Sequence, residues 1–392
     1  MKFITSNILI LSIVSLLNDA SGEMLAPVIP LYLKSIGFSL ILIGVLEGIA
    51  EATAGLSKGY FGNFSDNTGR RLPFVQIGYL ISAVTKPILL ISINPLWIFF
   101  VRTLDRFGKG VRSSARDALL SDEATPETKG RVFGFHRALD TCGAVIGPLI
   151  ALIYLRYYPE NYRILFIIAF IPSLLAFTFT FFIREKKRET EKKPKPKFLD
   201  FLKYWQEGPK MYRKLVGALL VFALFNSSDA FLLLKIKDAG CDDTTVIGSF
   251  IFYNLIFAIC SLPIGILADK IGMKKIFISG LILFAITYAG FAFANTTLHF
   301  LILFFFYGIY SAATEGIAKA WISNISDKKN TATAIGTYNA FQSIATLLAS
   351  SIAGLIWYLF GTATATFLLT SAVTIGVVIF IFIFVIPHQE KN

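Results

Sequence analysis

Acidic residues that could take up and release protons lie inside apolar stretches of the first half of the chain. Asp19 and Glu23 follow Asn18 within the first such stretch, and Glu47 and Glu51 lie four residues apart in the second. An unpaired charge in the middle of a membrane costs about 3 kcal/mol or more, so each acid there needs a partner or a bound proton. Residues of this kind are candidates for proton transfer or for binding a charged solute.

The fourth apolar stretch carries the most charge. Arg102 and Arg106 share one helical face, and Asp105 lies between them in the sequence. Arg112 and Arg116 follow near one end of the stretch and are expected to anchor the helix at the membrane surface. The basic residues favour an anionic or zwitterionic solute, although the acids and bases of the first half are nearly balanced.

We predict that one of these acids alternates between an arginine partner and a proton during the functional cycle. Glu51 is the first choice, because repulsion from Glu47 one turn away favours its protonated form. A permanent Glu–Arg pair that joins the second and fourth apolar stretches is the alternative. The residues predicted to carry proton coupling are Asp19, Glu47, Glu51, Arg102, Arg106, Arg137 and Asp140.

The second half of the chain has less charge inside its apolar stretches. It offers Asp229, the pair Glu315 and Lys319 at a spacing of four residues, and several amides. Proton handling is therefore expected in the first half, with polar and aromatic contacts to a solute in the second. The residues predicted to bind the solute are Asn18, Glu23, Lys109, Asn226, Asp229, Asn254, Glu315, Lys319, Asn339 and Gln342.

The composition around these residues is that of a membrane protein. Of the 392 residues, 55% are apolar, 15% aromatic and 16% charged, and the mean hydropathy is +0.66. Soluble proteins carry about 25% charged residues. The net charge of +12 does not indicate nucleic-acid binding, because lysine and arginine concentrate in short segments between apolar runs. The expected partners are a small-molecule substrate, protons and membrane lipids.

Twelve stretches are long and apolar enough to form membrane-spanning helices. The N-terminal stretch has no cleavage site of the A-x-A type and is expected to be a retained first helix rather than a signal peptide. The predicted fold is therefore all-α and integral to the membrane. The predicted spans are 7–33, 38–62, 74–93, 96–115, 131–155, 162–183, 214–236, 245–267, 275–294, 298–320, 332–358 and 362–386.

Loop charges give the predicted orientation. Alternate short connections carry basic pairs such as Arg70 and Arg71, whereas the opposite connections are poorer in lysine and arginine. Both termini are thus expected on the cytoplasmic side of the inner membrane. The basic segment 184–212 is expected to be a cytoplasmic linker, either a tether or a regulatory element, between six-helix bundles at 1–183 and 213–392.

A short charged motif occurs twice, each time between two apolar stretches. Residues 62–71 read GNFSDNTGRR and residues 265–275 read GILADKIGMKK, so Gly, Asp and Gly recur at an offset of 203 residues, and a basic pair follows each time. The pattern resembles the loop signature of the major facilitator superfamily, and the resemblance covers nearly the whole chain. It implies twelve helices in two six-helix bundles, with the solute site between them.

The resemblance also implies that this loop holds the two bundles together at the cytoplasmic side in the outward-facing state. Asp66 is expected to cap the eleventh span near residues 331–333, and Arg70 to reach an acid at the end of the fourth span, Asp117 first. Arg71 is expected to face the cytoplasm and lipid phosphate. The residues predicted to form this latch are Gly62, Asp66, Gly69, Arg70, Arg71, Asp117, Gly265 and Asp269.

Two further patterns resemble those of proton-coupled drug and metabolite antiporters in the same superfamily. Asp19 begins the pattern D-x7-P-x2-P, which ends at Pro30. Gly134 begins the pattern G-x8-G-x3-G-P-x2-G, with Ala151 in place of the last glycine. Close helix packing alone would also explain these glycines. The resemblance favours export, with import of an anion such as a polycarboxylate siderophore or a phosphorylated metabolite as the alternative.

Other classes of function have weaker support. The sequence has no phosphate-binding loop G-x4-G-K-[ST], which excludes an ATP-driven pump, and no metal triad or nucleophile motif of an enzyme. Cys142, Cys241 and Cys260 lack metal-ligand spacing and are expected to serve packing. We expect a monomer with no cofactor and no metal site. A non-transporting receptor or sensor is a further alternative, since it would bind a solute without accumulating it in vesicles.

Overall fold

The computed structural model describes residues 4–26, 28–38, 40–159, 161–185, 196–241 and 243–385. All regular secondary structure in these ranges is helical, as the sequence predicts. A helix satisfies its backbone N–H and C=O groups within its own segment, which the apolar interior of a membrane requires. Long apolar stretches therefore fold as single helices.

The first half of the chain forms a series of long helices with short connections. Their bounds are α1 (Ser6–Leu25), α2 (Val28–Ser35), α3 (Leu40–Thr68), α4 (Leu72–Ile88), α5 (Pro95–Asp122), α6 (Lys129–Tyr157) and α7 (Tyr162–Phe179). A single 3₁₀ turn, Thr180–Phe182, follows α7.

The second half begins after a short segment that contains the 3₁₀ helix Asp200–Lys203. Its α-helices are α8 (Tyr204–Glu207), α9 (Lys210–Phe225), α10 (Asp229–Asp238), α11 (Asp243–Ile271), α12 (Met273–Phe293), α13 (Thr297–Ile325), α14 (Thr331–Phe360) and α15 (Ala363–Phe384). A 3₁₀ turn, Lys328–Asn330, leads into α14.

All twelve predicted spans are helical. Within the described ranges, nine helical segments are long and apolar enough to cross a membrane. The other three predicted spans are α3, α4 and α5, helices of 29, 17 and 28 residues. Both α3 and α5 extend past their predicted ends, because polar residues there continue the helix beyond the apolar stretch. These extensions carry Asp66 and Asp122.

Two predicted spans are broken rather than continuous. Span 7–33 is divided into α1 and α2 next to Pro27, which itself lies outside the described residues. Proline lacks the N–H that a helix interior needs, so a break at this position has a local cause. Span 214–236 is divided at residues 226–228, a run of Asn-Ser-Ser, which are residue types that favour turns and caps over helix interiors. Hydropathy alone does not detect either break.

The structure contains two compact units. The first comprises Met1–Thr125, Leu139–Trp205 and Asp327–Ala340, and the second comprises the remaining three segments, Pro126–Ala138, Gln206–Ser326 and Phe341–Asn392. The start of α14 therefore belongs to the first unit and the start of α6 to the second. The predicted bundle boundaries at 183 and 213 stay a prediction.

An apolar core closes one end of the first unit. Met24 and Leu25 of α1, Tyr32 of α2 and Leu165 and Phe166 of α7 are buried there. The Tyr32 and Phe166 rings meet edge to face with centroids 5.3 Å apart. This core places α1, α2 and α7 beside α4 and α5, which carry most of the buried charge.

Candidate functional site

A polar cavity lies inside the first unit, between α1, α4, α5 and α7. Apolar residues of the core, Leu25, Leu89 and Phe166 among them, form part of its wall. Within the described part of the chain, its charged lining comprises five bases against three acids. The polar and charged lining residues are Asn18, Asp19, Glu23, Ser82, Thr85, Lys86, Arg102, Asp105, Arg106, Lys109 and Arg112.

Two buried cations of the cavity bind the same serine. The Lys86 Nζ atom donates to the Ser82 carbonyl oxygen at 2.6 Å, and Arg112 Nη1 donates to the Ser82 hydroxyl at 2.6 Å. The Arg112 guanidinium also lies 4.6 Å from the centroid of the Tyr79 ring. The prediction that Arg112 anchors the helix at the membrane surface is wrong, because Ser82 and Tyr79 of α4 hold it inside the unit.

The acid of the fourth span is paired within its own helix. Asp105 Oδ2 lies 3.6 Å from Arg102 Nη1, and Asp105 Oδ1 accepts a hydrogen bond from the Thr85 hydroxyl at 3.2 Å. Asp105 and Arg102 are separated by three residues, so their side chains lie on the same face of α5. The cavity wall therefore contains one neutralised pair together with further bases.

Glu51 of α3 pairs with Arg106 of α5 at 3.3 Å, as the sequence-based pairing of the second and fourth spans predicts. Half of the Glu51 side chain is exposed, whereas Arg106 is three-quarters buried. The side chain of Glu47 lies outside the described residues. The pair can hold α3 against α5 at the rim of the cavity, and its role in proton coupling stays a prediction.

Asp19 and Asp140 form a carboxyl pair between α1 and α6. The two carboxyl groups are hydrogen-bond neighbours, and the Ser15 hydroxyl also donates to Asp140. Arg116 Nη1 donates to the same Ser15 oxygen at 3.0 Å and pairs with Asp117 at 2.9 Å. The structure thus brings together two of the predicted proton-coupling residues beside an arginine.

In the second unit, Arg137 of α6 forms an ion pair with Glu315 of α13. The Arg137 guanidinium also lies 5.6 Å from the centroid of the Phe257 ring on α11. One residue predicted for proton coupling and one predicted for solute binding therefore meet. Lys319 lies one turn beyond Glu315 on α13 and is half-buried.

Asn226 and Asp229 lie in a group of tyrosines in the second unit. Tyr307 donates to Asp229 Oδ1 at 2.7 Å, and Tyr288 donates to Asn226 Oδ1 at 3.4 Å. Asn226 in turn donates to the Tyr310 oxygen at 3.5 Å. The break between α9 and α10 exposes these polar groups to the tyrosines, which gives the second half an aromatic polar site with one carboxyl group.

The remaining predicted solute-binding residues are dispersed. Glu23 and Lys109 line the cavity of the first unit. Asn254 is buried in the second unit, where it donates to the Phe250 carbonyl oxygen of its own helix at 3.0 Å. Asn339 is buried within α14 in the first unit, and Gln342 is half-buried in the second.

Asp66 caps the first turn of α14. Its Oδ2 atom accepts hydrogen bonds from the Thr333 backbone N–H at 2.7 Å and from the Thr333 hydroxyl at 2.9 Å. This position, expected from the sequence near residues 331–333, is confirmed. A carboxylate at a helix N-terminus satisfies unpaired N–H groups and interacts favourably with the helix dipole.

Arg71, rather than Arg70, forms the ion pairs next to this cap. Arg71 is fully buried and binds Asp66 at 2.8 Å and also Asp122 at the end of α5. The prediction that Arg71 faces the cytoplasm is wrong, because Arg71 is buried. The prediction that Arg70 reaches Asp117 is also wrong, because Arg70 is exposed and Asp117 pairs with Arg116. Burial opposes the charge on Arg71, but the Asp66 and Asp122 carboxylates raise its pKa above the ordinary value.

Asp269 repeats the cap in the second unit. Its carboxylate accepts hydrogen bonds from the Gly130 N–H at 2.7 Å and from the Arg131 N–H at 3.0 Å, at the start of α6. The Arg131 Nε atom adds a further bond at 2.7 Å. The Asp66 and Asp269 side chains are both almost completely buried.

The glycines of the repeated motif permit close helix contacts and turns. A Cβ atom on Gly62 would lie 2.4 Å from the Ala332 carbonyl oxygen, and one on Gly265 would lie 2.4 Å from the Gly130 carbonyl oxygen. Gly69 has a φ angle of 66°, the left-handed conformation that glycine adopts without strain. Each glycine therefore has a specific structural reason to lack a side chain.

Sequence reasoning did not include several of these residues in the site. Lys86 and Arg112 lie in the cavity, and the buried tyrosines at 253, 288, 307 and 310 surround Asn226 and Asp229. The spacing of Tyr307 and Tyr310 places them on one helical face and could have indicated this group. The spacing of four residues places Ser82 and Lys86 on one face of α4, but no sequence pattern shows that Arg112 of α5 reaches Ser82.

Comparisons with known proteins agree with this architecture. Residues 11–252 and 215–392 match the family model of the Major Facilitator Superfamily. The uncharacterized MFS-type transporter MJ1317 of Methanocaldococcus jannaschii is 32% identical over 360 residues, which cover 90% of this chain and 89% of the relative. The multi-drug resistance efflux pump PmrA homolog of Lactococcus lactis is 22% identical, with 86% of each chain covered.

A solved structure shares the fold. FucP of E. coli, a superfamily transporter in the outward conformation, aligns with a TM-score of 0.77 at 11% sequence identity, with 97% of this chain and 98% of FucP covered. At this identity the likeness concerns the fold alone.

Proposed function

The chain belongs to the major facilitator superfamily, and we propose that it is a proton-coupled secondary transporter that exports a small organic solute. Membership makes the protein an integral membrane transporter with twelve transmembrane helices, not an enzyme. Proton coupling, the direction of transport and the class of solute are the proposal. Efflux is favoured by the relative from Lactococcus lactis, which is described as a multi-drug resistance efflux pump.

The carboxyl pair Asp19–Asp140 is the observation that carries this proposal. Asp19 lines the polar cavity, and Asp140 is buried behind it. Two ionised carboxylates in contact would repel strongly in a medium of low dielectric constant, so the pair holds a proton in this arrangement. Ser15 connects the pair to Arg116.

The proposed cycle exchanges that proton for an arginine contact. If Arg116 moves from Ser15 toward Asp140 when the helices rock, the ionised form of the pair gains a cationic partner and releases its proton. Binding of solute in the neighbouring cavity favours one of the two arrangements. The Glu51–Arg106 pair remains a second candidate for the same exchange.

The caps at Asp66 and Asp269 are the proposed latch of the transport cycle. Each carboxylate binds the start of a helix that belongs to the other half of the sequence. We place both caps, and both chain termini, on the cytoplasmic side of the inner membrane, since the basic loops favour this orientation. The transporter is proposed to act as a monomer.

Proton movement in sealed vesicles tests this function. Full-length protein is reconstituted with a pH-sensitive dye inside the vesicles, and malate, citrate, 3-phosphoglycerate, glutamate and ethidium are added outside in turn. Proton coupling predicts a change in internal pH for at least one solute, absent from protein-free vesicles. Binding without solute accumulation or proton movement would contradict the proposal and favour a receptor.

A further inference from the structure

The Ser82 site in the cavity holds two cations that form no direct salt bridge with a carboxylate of the described residues. Lys86 binds the Ser82 carbonyl oxygen and Arg112 binds its hydroxyl, each at 2.6 Å. Both side chains are more than nine-tenths buried. Among the described residues, neither has a carboxylate within salt-bridge distance. Two like charges fixed to one residue in a low-dielectric interior repel each other unless an anion joins them.

Among the described residues, none of the three acids of the cavity forms a salt bridge with Lys86 or Arg112. Asp105 lies near enough to Lys86 to attract it, but its carboxylate contacts Arg102 and the Thr85 hydroxyl instead. Asp19 faces Asp140 instead. The cavity therefore offers positive charge at Lys86 and Arg112 to a group that enters from outside, and a carboxylate or phosphate would accept hydrogen bonds from both.

Asn18 of α1 supplies an independent observation. Its side chain is 6% exposed and lines the same cavity, and its amide oxygen has no hydrogen-bond partner. A buried acceptor without a donor is unfavourable, so its presence at a cavity indicates a donor from a bound molecule. A hydroxyl or an ammonium group would fit.

The apolar wall completes the description of the ligand. Leu25 and Phe166 line the cavity between its polar residues, and a carbon skeleton can pack against them. We propose that the cavity binds a small organic anion, with its carboxylate or phosphate at Lys86 and Arg112 and a hydroxyl or ammonium group donating to Asn18. This inference rests on the proposed transport function and assigns the solute class to it.

Matched ligand pairs test the assignment. The melting temperature of the full-length protein, purified in detergent, is measured with malate against succinate, glutamate against glutarate, and glycerol 3-phosphate against propyl phosphate. Each pair shares its anionic group and differs in a donor. We expect at least one donor-bearing anion to stabilise the protein more than its partner, and neutral arabinose and cationic ethidium to leave it unchanged.

Three substitutions then locate the site. Lys86→Gln and Arg112→Gln should weaken the affinity for the stabilising anion at least tenfold, whereas Arg112→Lys, which keeps the charge, should retain part of it. In Asn18→Ala, both members of the ligand pair should raise the melting temperature equally, because the donor no longer has its acceptor while the anionic group still binds. Arg156→Gln serves as the control, because Arg156 is an exposed base far along α6 from this cavity.

Several results would overturn the assignment. These are stabilisation by none of the anions, equal stabilisation by both members of every pair, or unchanged affinity in Lys86→Gln and Arg112→Gln variants that retain the ligand-free melting temperature. Vesicle measurements separate this inference from the transport function. Proton movement driven by ethidium alone would contradict the proposed anion site and still support the transport function. Anion binding at Lys86 and Arg112 without proton movement would support the anion site and contradict the transport function.

Discussion

Asp66 binds Thr333 through both the backbone N–H and the hydroxyl, although 267 residues separate them in the sequence. Asp269 binds the start of α6 in the corresponding way, through Gly130 and Arg131. The two caps therefore obey the same 203-residue offset as the motif itself. A helix N-terminus is a favourable site for a carboxylate, so the duplicated motif builds the same contact twice.

Removing the charge at position 66 should loosen this contact. In Asp66→Asn the hydrogen bonds to Thr333 lose their ionic component and Arg71 loses a carboxylate, which should cost about 1–3 kcal/mol. Opening of the contact between Asp66 and Thr333 is followed in a variant that lacks Cys142, Cys241 and Cys260 and carries a single cysteine in place of the buried Ser114. This cysteine reacts with a thiol reagent only when the contact opens. We expect faster reaction with a thiol reagent and slower transport.

Asp238→Asn is the matched control for this substitution, because Asp238 is an exposed acid in the second unit. It should leave both the labelling rate and the transport rate unchanged. Equal labelling of the Asp66→Asn and wild-type proteins would show that Asp66 does not hold the contact closed.

The neighbouring arginines should respond very differently to the same substitution. Arg71→Gln leaves the buried Asp66 without its cation and should lower the free energy of unfolding by about 3–5 kcal/mol. Arg70→Gln alters an exposed side chain and should change it by less than about 0.5 kcal/mol. The melting temperatures of the two purified variants check this, and equal losses would contradict the buried pairing of Arg71.

The contribution of Arg71 should also be independent of pH in the neutral range. Its pKa is raised in the folded protein by Asp66 and Asp122, so its stabilisation is complete below the ordinary arginine pKa and is lost only as the pH rises through the raised value. The difference in melting temperature between the wild type and Arg71→Gln should therefore be the same at pH 7 and pH 9. A difference that shrinks at pH 9 would contradict the raised pKa.

A substitution at Gly62 tests how closely α3 packs against α14. Alanine there would place a Cβ atom 2.4 Å from the Ala332 carbonyl oxygen, and overpacking of this kind costs about 1–3 kcal/mol. Gly62→Ala should lower the melting temperature and slow transport. Gly376→Ala in α15 is the control, since a Cβ atom added at Gly376 would meet nothing within 4 Å. A neutral Gly62→Ala variant would count against the contact.

The predicted linker, residues 184–212, is not only a tether, because one of its residues packs against the helices. The buried Phe201 ring lies against Gly59 of α3, and its carbonyl oxygen accepts a hydrogen bond from Thr337 of α14 at 3.0 Å. Phe201→Ala should therefore destabilise the protein by about 3–5 kcal/mol. Phe198→Ala, at a half-exposed position, should cost much less. Similar melting temperatures for both variants would show that the linker does not pack there.

The sequence predicts the helical spans because apolar length, a local pattern, marks them. It predicts the contact of Asp66 near residues 331–333 because the repeated motif resembles the loop signature of the superfamily. The breaks after α1 and α9 are not predicted, since hydropathy averages over Pro27 and over Asn226. Breaks of this kind depend on single backbone groups.

Side-chain direction is the part that the sequence does not specify. Two adjacent arginines follow Gly69, which adopts a left-handed turn, and Arg71 faces inward to Asp66 and Asp122 while Arg70 is exposed. Because Arg112 lies near the end of the apolar stretch, the sequence predicts its side chain at the membrane surface, whereas the structure buries it. Its burial depends on Ser82 and Tyr79 of another helix, and no pattern within α5 contains that information.

Solute-dependent proton movement in vesicles tests the Asp19–Asp140 pair most directly. With the solute that moves protons in the wild type, Asp19→Asn and Asp140→Asn should each abolish proton movement while exchange of labelled solute continues. Glu51→Gln should retain coupling. Wild-type proton movement in both aspartate variants, or its loss in Glu51→Gln alone, would contradict the assignment of the proton to Asp19 and Asp140.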